Sequence, residues 1–342
     1  MPLKFSTKAR TLAVLQTKLK TAKIAPLQIF NVGDWLFDKQ SCINTVEHSF
    51  SNQPLIVRSS SNQEDGHETS NAGAFLSIQN VNLEELETAV EKVIEAFGSS
   101  DLEDEILVQP MLVDVIRSGV VFSHDPNTCA PYRVVNWSEG INTETVTGGL
   151  GGKVWFQAAN FKPSLDASFL PISSLINELL DLFGMVPIDC EFAVTRAVDK
   201  SGSKKEELWL TQVRPLILAK EPESEKSQSE RLSIIEKKIR RGMRSQPFLM
   251  GKKTIYGVMP DWNPAEIIGI RPKPLSLSLY RELITDSIWA YQRHNYGYRN
   301  LRSFPLMQHF FGLPYIDVRL SFNSFILKFF LNFLFIEKFV NR

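Results

Sequence analysis

The sequence predicts an α+β fold in two domains, on three observations. Residues 6–20 and 82–98 keep a helical period of apolar side chains. From Ile106 onward the pattern breaks into short runs rich in β-branched and aromatic residues, which read as strands. Residues 220–231, KEPESEKSQSER, hold almost no apolar side chain and read as a linker or the start of a solvated helix. A chain of 342 residues, 43% of them apolar, is long enough for two domains and apolar enough to bury a sizeable core.

Taken in order, Leu12, Leu15 and Leu19 share one face of a first amphipathic helix. AKIAPLQIFNV then reads as a turn into a strand, and Leu55, Ile56 and Val57 as a short buried strand. The loop from Arg58 to Phe75 is rich in Ser, Asn, Gly and acids. Asn82 and Glu85 form a capping-box pattern before Leu83, Leu86, Val90, Val93, Ile94 and Phe97, and Gly98 stops that helix. EILVQPML, SGVVFSHDP and YRVVNW read as three strands, and residues 172–183 as a helix. IDCEFAVTRAV and ELWLTQVRPLIL read as two more strands, joined by the charged connector DKSGSKKE.

Charge and composition exclude several classes. Basic and acidic residues number 38 each, so no global field attracts nucleic acid or an anionic membrane surface. RRGMRSQ at 240–246 with the later aromatic, basic segment is the residual case for nucleic-acid binding. Cys42, Cys129 and Cys190 are scattered and odd in number, which fits reduced packing cysteines of a cytoplasmic protein. No secretory signal opens the chain, and Phe325–Val340 is too short and too interrupted by Lys328, Asn332, Glu337 and Lys338 to read as a membrane span. The five histidines show no metal-binding spacing, and no G-x-S-x-G elbow is present. Neither a P-loop nor a Rossmann glycine pattern occurs, and GGLGGK at 148–153 reads as a flexible loop.

Two groups of residues are candidates for chemistry. Glu191 and Gln212 sit in strands whose pattern otherwise points apolar residues at a core, and an inward carboxylate beside an inward amide needs a ligand, a metal or hydrogen-bond partners. Such oxygens suit Mg²⁺, and Arg214, two residues after Gln212, shares its face and can neutralise a phosphate. A structural Glu–Arg pair on a solvent face is the plainer alternative for these two strands. Arg58 ends an apolar strand and opens the Ser-rich loop, where Ser70, Ala72 and Gly73 let backbone approach an anion; solvated surface loop is the plainer alternative.

In sequence order these segments resemble the ATP-grasp domain of the phosphoenolpyruvate synthase and pyruvate phosphate dikinase family, which includes rifampicin phosphotransferases and capsule-locus L-glutamine kinases. STKARTLAVL resembles the opening G-G-K-x-x-x-L element, with Ser6 and Thr7 in place of the glycines and Lys8 at the phosphate-binding lysine. LIVRSSSNQEDGHETSNAGAF resembles V-R-S-S-x-x-x-E-D-x-x-x-x-S-x-A-G, matched at Val57, Arg58, Ser59, Ser60, Glu64, Asp65, Ser70, Ala72 and Gly73. ILVQPML resembles the hinge strand V-Q-x-M, which implies that Gln109 and the backbone near Met111 border adenine. SGVVFSHDP resembles S-G-V-x-F-T-R-D-P, with His124 replacing the usual Arg. IDCEFAV and LWLTQVRP resemble the D-I-E-W-A and L-x-x-Q-x-R-P pair, which implies Mg²⁺ on Glu191 and Gln212 and phosphate on Arg214.

The resemblance implies an ATP-grasp fold of two subdomains, roughly 1–100 and 101–220 of a domain spanning 1–220, with ATP between them. A linker or helix at 221–250, a partial, mainly helical central domain at 251–325 and an aberrant Phe-rich tail at 326–342 are expected to follow. Within that central segment Trp262, Arg271, Tyr280, Arg281, Trp289, Tyr291 and Arg293 form either a packing surface or a substrate or interdomain surface. In the family, ATP yields AMP and phosphate, and a histidine on a separate domain carries the phosphoryl group to a small acceptor such as pyruvate or L-glutamine. No carrier-histidine motif is recognised here, and the change of texture near Phe325 suggests a truncated or shifted reading frame, with the carrier acting in trans. The alternatives are a non-catalytic ATP-binding fragment or sensor and, third, the nucleic-acid binder.

Overall fold

The computed structural model describes residues 2–50, 53–61, 76–97, 101–140, 152–160, 169–198, 204–258 and 261–327. Ser70 and Gly73, with most of the Ser-rich loop, and residues 328–342 of the Phe-rich tail lie outside the described residues. Two compact units divide the chain, Met1–Gln228 and Ser229–Arg342. The architecture is α+β with antiparallel sheets, as the sequence predicts.

Helix α1, Lys8–Gln16, is capped by Thr7, whose hydroxyl accepts from the Arg10 amide. It ends at Gln16, short of the expected residue 20, and buries Ala9, Leu12 and Leu15. Strand β1, Gln28–Asn31, follows Pro26, and helices α2, Val32–Phe37, and α3, Lys39–Phe50, come next. Strands β2, Leu55–Ser60, and β3, Ser77–Val81, precede helix α4, Leu86–Ala96, which the one-turn 3₁₀ segment Leu83–Glu85 introduces. The Glu85 carboxylate accepts from the Asn82 amide at 3.3 Å, and the Asn82 side chain faces the Glu85 amide, as the expected capping box requires.

With β4, Glu105–Pro110, these strands make a four-stranded antiparallel sheet in the order β1-β4-β2-β3. Strand alternation divides its two faces. Leu55, Val57, Ile106 and Val108 pack on Trp35, Val46, Phe50, Leu86, Val90 and Val93 of the helices. The opposite face carries Arg58, Ser60, Glu105, Leu107 and Gln109, in the cross-strand pairs Arg58–Leu107, Ile56–Gln109 and Ser60–Glu105.

The second sheet contains β5, Val115–Phe122; β6, Tyr132–Glu139; β7, Lys153–Ala158; β8, Ile188–Val198; and β9, Lys204–Pro215. Its order is β7-β6-β5-β8-β9, antiparallel throughout. Helix α5, Leu170–Leu182, starts with Pro171 in its first turn, where the missing N–H costs nothing. Its Ile172, Leu175, Ile176 and Leu179 join Leu12 and Leu15 of α1 against Val121, Val135, Ile188, Cys190, Phe192, Leu210 and Val213 of the sheet. Asp189, Glu191, Gln212 and Arg214 alternate with those core positions and lie on the other face.

Helix α6, Glu225–Gly242, spans 18 residues across the boundary between the units. The second unit is mainly helical, as expected, and adds a small sheet: Tyr256–Gly257, Leu313–Asp317 and Met307–Phe310 form a three-stranded antiparallel sheet. Its hairpin turns on Phe311 and Gly312, both at positive φ (47° and 87°), as a two-residue type I′ loop requires. Leu277, Tyr280, Trp289, Leu301, Leu306, Ile316 and Leu320 form its core. Among the described residues no helix is long and apolar enough to cross a membrane.

Candidate functional site

Arg58 lies near the end of β2 and is buried, yet its guanidinium belongs to a cluster on the other sheet. Its Nη1 donates to the Thr211 carbonyl at 2.8 Å and its Nη2 to Gln212 Oε1 at 3.1 Å. The same Nη2 stands 3.8 Å from Glu191 Oε2. A β-bulge makes the first contact possible. Gln212 pairs with Glu191 and Leu210 with Phe192, so Thr211 is the extra residue, and a bulged residue drops out of the ladder. Among the described residues Arg58 Nε is buried with no hydrogen-bond partner. Buried polar groups are nearly always paired, so an Arg that leaves a donor over beside a half-open carboxylate is a candidate ligand contact.

Glu191 and Gln212 face each other across β8 and β9. The Glu191 side chain is 35% exposed, whereas Gln212 is buried with its oxygen turned to Arg58. Asp189 and Arg214 form the adjacent pair on the same face. Arg214 Nε and Nη2 both donate to Asp189 Oδ2, at 2.9 and 2.8 Å. Asp189 is therefore a partner of Arg214 on this face. Burial pushes the Asp189 carboxyl above its ordinary value; Arg214 opposes that shift, and the nearby Glu191 charge adds to it.

Lys8, in the first turn of α1, is buried, and its Nζ lies 3.4 Å from the Ser59 carbonyl, next to Arg58 in the chain. The Ala9 amide donates to Ser60 Oγ at 2.9 Å, and Thr7 and Arg10 both donate to the buried Glu105 carboxylate. These bonds seat the start of α1 on the ends of β2 and β4. Gln109 shares the sheet face of Arg58, but its Nε2 donates to the Ala25 carbonyl at 3.2 Å. The Met111 amide donates to the Pro54 carbonyl at 2.8 Å. Among the described residues these bonds tie Gln109 and Met111 to Ala25 and Pro54 and not to Arg58, Glu191 or Gln212.

His124 is held elsewhere too. Its Nδ1 lies 2.9 Å from Ser123 Oγ, which already accepts the Ile188 amide. The hydroxyl proton is then free for Nδ1, which leaves Nε2 carrying the ring proton. Burial first and Arg133 second push the His124 pKa down, against an opposing contribution from Glu225. Arg133 is buried and donates to the Ser123 carbonyl, Asn177 and Glu225 at 2.8–2.9 Å. His124 therefore places a neutral ring beside the partly buried Arg133–Glu225 ion pair.

Sequence reasoning missed Asp189 and Thr211. Asp189 was legible as the residue two before Glu191 and hence on its face; a one-residue bulge has no comparable signature. All three cysteines are free and buried, and burial holds the Cys190 thiol well above its ordinary pKa. Among the described residues no group of three or more His, Cys, Asp or Glu gathers as a metal cage. Two open surface depressions lie away from Arg58: one is lined by Arg10, Val14, Ile29 and Asp34, the other by Pro2, Lys18, Asp181 and Gly184. Neither holds a comparable ionic cluster, so the chemistry of the side chains is the better guide.

No family model matches the sequence, and no curated protein matches it. Among solved structures, similarity extends to the D-alanine-D-alanine ligase from Helicobacter pylori, at 16% identity over 61% of this chain and 54% of that one, with a TM-score of 0.37. The D-alanine-D-alanine ligase from Coxiella burnetii follows at 9% identity, 61% and 47% coverage and 0.34. PH1788 from Pyrococcus horikoshii matches at 14% identity, 63% and 90% coverage and 0.37. The chain spans about half the length of the D-alanine ligases that it matches. At such TM-scores the likeness decides nothing, and the functional reading rests on the residues.

Proposed function

We propose that the first unit binds ATP in the ATP-grasp manner and forms the nucleotide-binding part of a dikinase-type phosphotransferase. One observation carries this reading: Arg58 reaches across from its own sheet to the Glu191–Gln212 pair, 133 or more residues away in the chain. Three segments singled out for phosphate and metal chemistry thus meet, although nothing in their spacing requires it.

In this reading Arg58 and Arg214 stand over the polyphosphate and offset its charge, and Lys8 adds a third cation at the start of α1. Asp189 fixes the guanidinium plane of Arg214. Glu191 and the Gln212 oxygen are hard donors on adjacent strands and fit Mg²⁺, which takes one or two protein oxygens beside phosphate oxygens. The ion would supply charge neutralisation between phosphate groups. Gln109 and the backbone at Met111 border the base, and Ser70 and Gly73 belong to the phosphate loop. Phosphoryl transfer asks mainly for such positioning and charge. The phosphoryl group then passes through a histidine carrier in trans to a small acceptor, pyruvate or L-glutamine in the resembling enzymes.

Calorimetric titration of ATP with Mg²⁺ against wild type and Arg58→Ala tests the site. At least a tenfold loss is expected for removing one charged phosphate contact, about 1.5–3 kcal/mol; equal affinity would overturn the assignment. An ATP-binding unit without turnover shares the site and differs in one result, the absence of AMP release when a histidine carrier domain is supplied.

A further inference from the structure

The neutral total of the chain hides an uneven distribution of charge. Residues 229–342, the second unit, carry 18 Lys and Arg against 8 Asp and Glu, which leaves 20 against 30 for the first. Within the second unit the excess is concentrated further: from Lys237 to Pro260 the sequence holds seven basic residues and no acidic one. Arg240 and Arg241 close the last turn of α6, and Arg244, Lys252 and Lys253 follow in the loop after it, all five exposed.

The same loop presents apolar side chains to solvent. Leu249 packs against the core of this unit, whereas its neighbours Phe248 and Met250 are 79% and 53% exposed. Hydrogen bonds to the short helix Val318–Asn323 hold the loop in this form. The buried Arg319 donates to the Arg244 and Gly242 carbonyls at 2.9 and 3.0 Å, satisfying backbone at the end of α6. The buried Asn323 accepts from the Met250 amide at 2.8 Å and donates to the Met250 carbonyl at 2.9 Å. Next to Asn323 in the chain, Phe322 is 73% exposed. The loop is thus pinned by its backbone beside Phe322, and its Phe and Met side chains are left outside.

Size and chemistry together identify the occupant. Phe248 and Phe322 leave roughly 300 Å² open, scaled from the 150–250 Å² of an aromatic side chain. That is well short of the about 800 Å² per partner of a stable protein interface. Nucleic acid would pair with the cations, but it gains further from flat rings on which bases stack, and the exposed Met243 and Met250 offer none. A lipid bilayer needs no matched area, because each apolar side chain that enters it contributes by itself while flanking Lys and Arg stay among the headgroups. Five cations with no acid in their segment select an anionic leaflet.

We infer that loop 243–253 docks the protein on an anionic lipid surface, with Phe248, Met250 and Phe322 entering the acyl boundary and the five cations over the headgroups. This docking goes beyond the proposed function and does not rest on the ATP site.

Co-flotation of the full chain with vesicles tests it, using phosphatidylcholine alone and phosphatidylcholine mixed equally with phosphatidylglycerol. The proteins compared are wild type, Phe248→Ser/Met250→Ser and Arg241→Gln/Arg244→Gln. All four positions are exposed, so the variants are expected to melt with wild type. Wild type should bind the mixed vesicles at least about tenfold more tightly than the neutral ones and lose that preference in high salt. The serine variant should bind the mixed vesicles at least about tenfold more weakly, for want of apolar insertion. The glutamine variant should lose roughly 25-fold, from about fivefold per cation. Wild type that ignores the mixed vesicles overturns the surface, and so does binding that survives in both variants, which would seat it elsewhere on the chain. Oligouridylate bound by wild type in place of the vesicles, and equally by the serine variant, would make the cations a nucleic-acid surface and overturn the inference too.

Discussion

Gly119→Ala reverses the sign usually expected of that substitution. Within a strand, Gly→Ala ordinarily stabilises by about 0.5–1 kcal/mol because glycine loses more freedom on folding. Gly119 lies opposite Trp137 in the β5–β6 pair, at the centre of the five-stranded sheet. A Cβ placed there would stand 2.1 Å from the Asn136 carbonyl oxygen and 2.8 Å from the Trp137 Cα. Both obstacles are backbone, so no side-chain rotation relieves them, and β6 must move away from β5. Overpacking of this kind costs about 1–3 kcal/mol, and loss of ladder hydrogen bonds puts the expected destabilisation at the upper end. The assay is urea unfolding of wild type and variant at equal slope, with Gly269→Ala as a comparison, since nothing lies within 4 Å of a Cβ there. Gly269 has a φ of +88°, so its variant carries backbone strain alone. A Gly119→Ala protein as stable as wild type, or more so, would refute the register of this sheet.

Two further predictions concern pH. Burial lowers the His124 pKa below 6.5 in the folded protein, so the unfolded chain binds the proton more readily and stability falls as pH drops through about 6.5. His124→Gln should remove that part of the decline in Tm between pH 7.5 and 5.5; an unchanged slope would place the ring in water. Asp189 has the opposite sign. Its folded pKa is raised above 3.8, so the folded state holds the proton more tightly, and the contribution of the protonated form is lost as pH rises from the unfolded value through the folded one. Asp189→Asn should flatten stability in that acidic window, and a persisting slope there would assign it to another carboxylate.

How much of this was legible follows from the range of each interaction. The period-2 pattern was enough to put Gln212 and Arg214 on one face, because alternation is a local property of a strand. Asn82 and Glu85 marked the start of α4 for the same reason, and Leu12 and Leu15 marked the buried side of α1. What eluded a local reading was set by tertiary contacts. Arg58 looked like the mouth of a loop, whereas the structure directs it to a bulge on a strand about 150 residues later. Gln109 looked like a free hinge amide and is tied to Ala25. His124 looked like a damaged phosphate contact and belongs with Ser123 and the Arg133–Glu225 pair. The small sheet of the second unit was missed because its strands are four and five residues long and its turn uses Phe311 where Asn or Asp is usual.

The most direct test of the central claim is a double-mutant cycle on ATP binding with Mg²⁺, using Arg58→Ala, Glu191→Ala and the pair. Arg58 Nη2 and Glu191 Oε2 lie 3.8 Å apart, so if both act on one polyphosphate–Mg²⁺ group their effects must couple. The account predicts a loss of at least about tenfold for each single variant and a non-additive double variant, with a coupling of about 1 kcal/mol or more. Affinity that is unchanged in both single variants, or losses that simply add, would contradict a shared ATP site at Arg58 and Glu191.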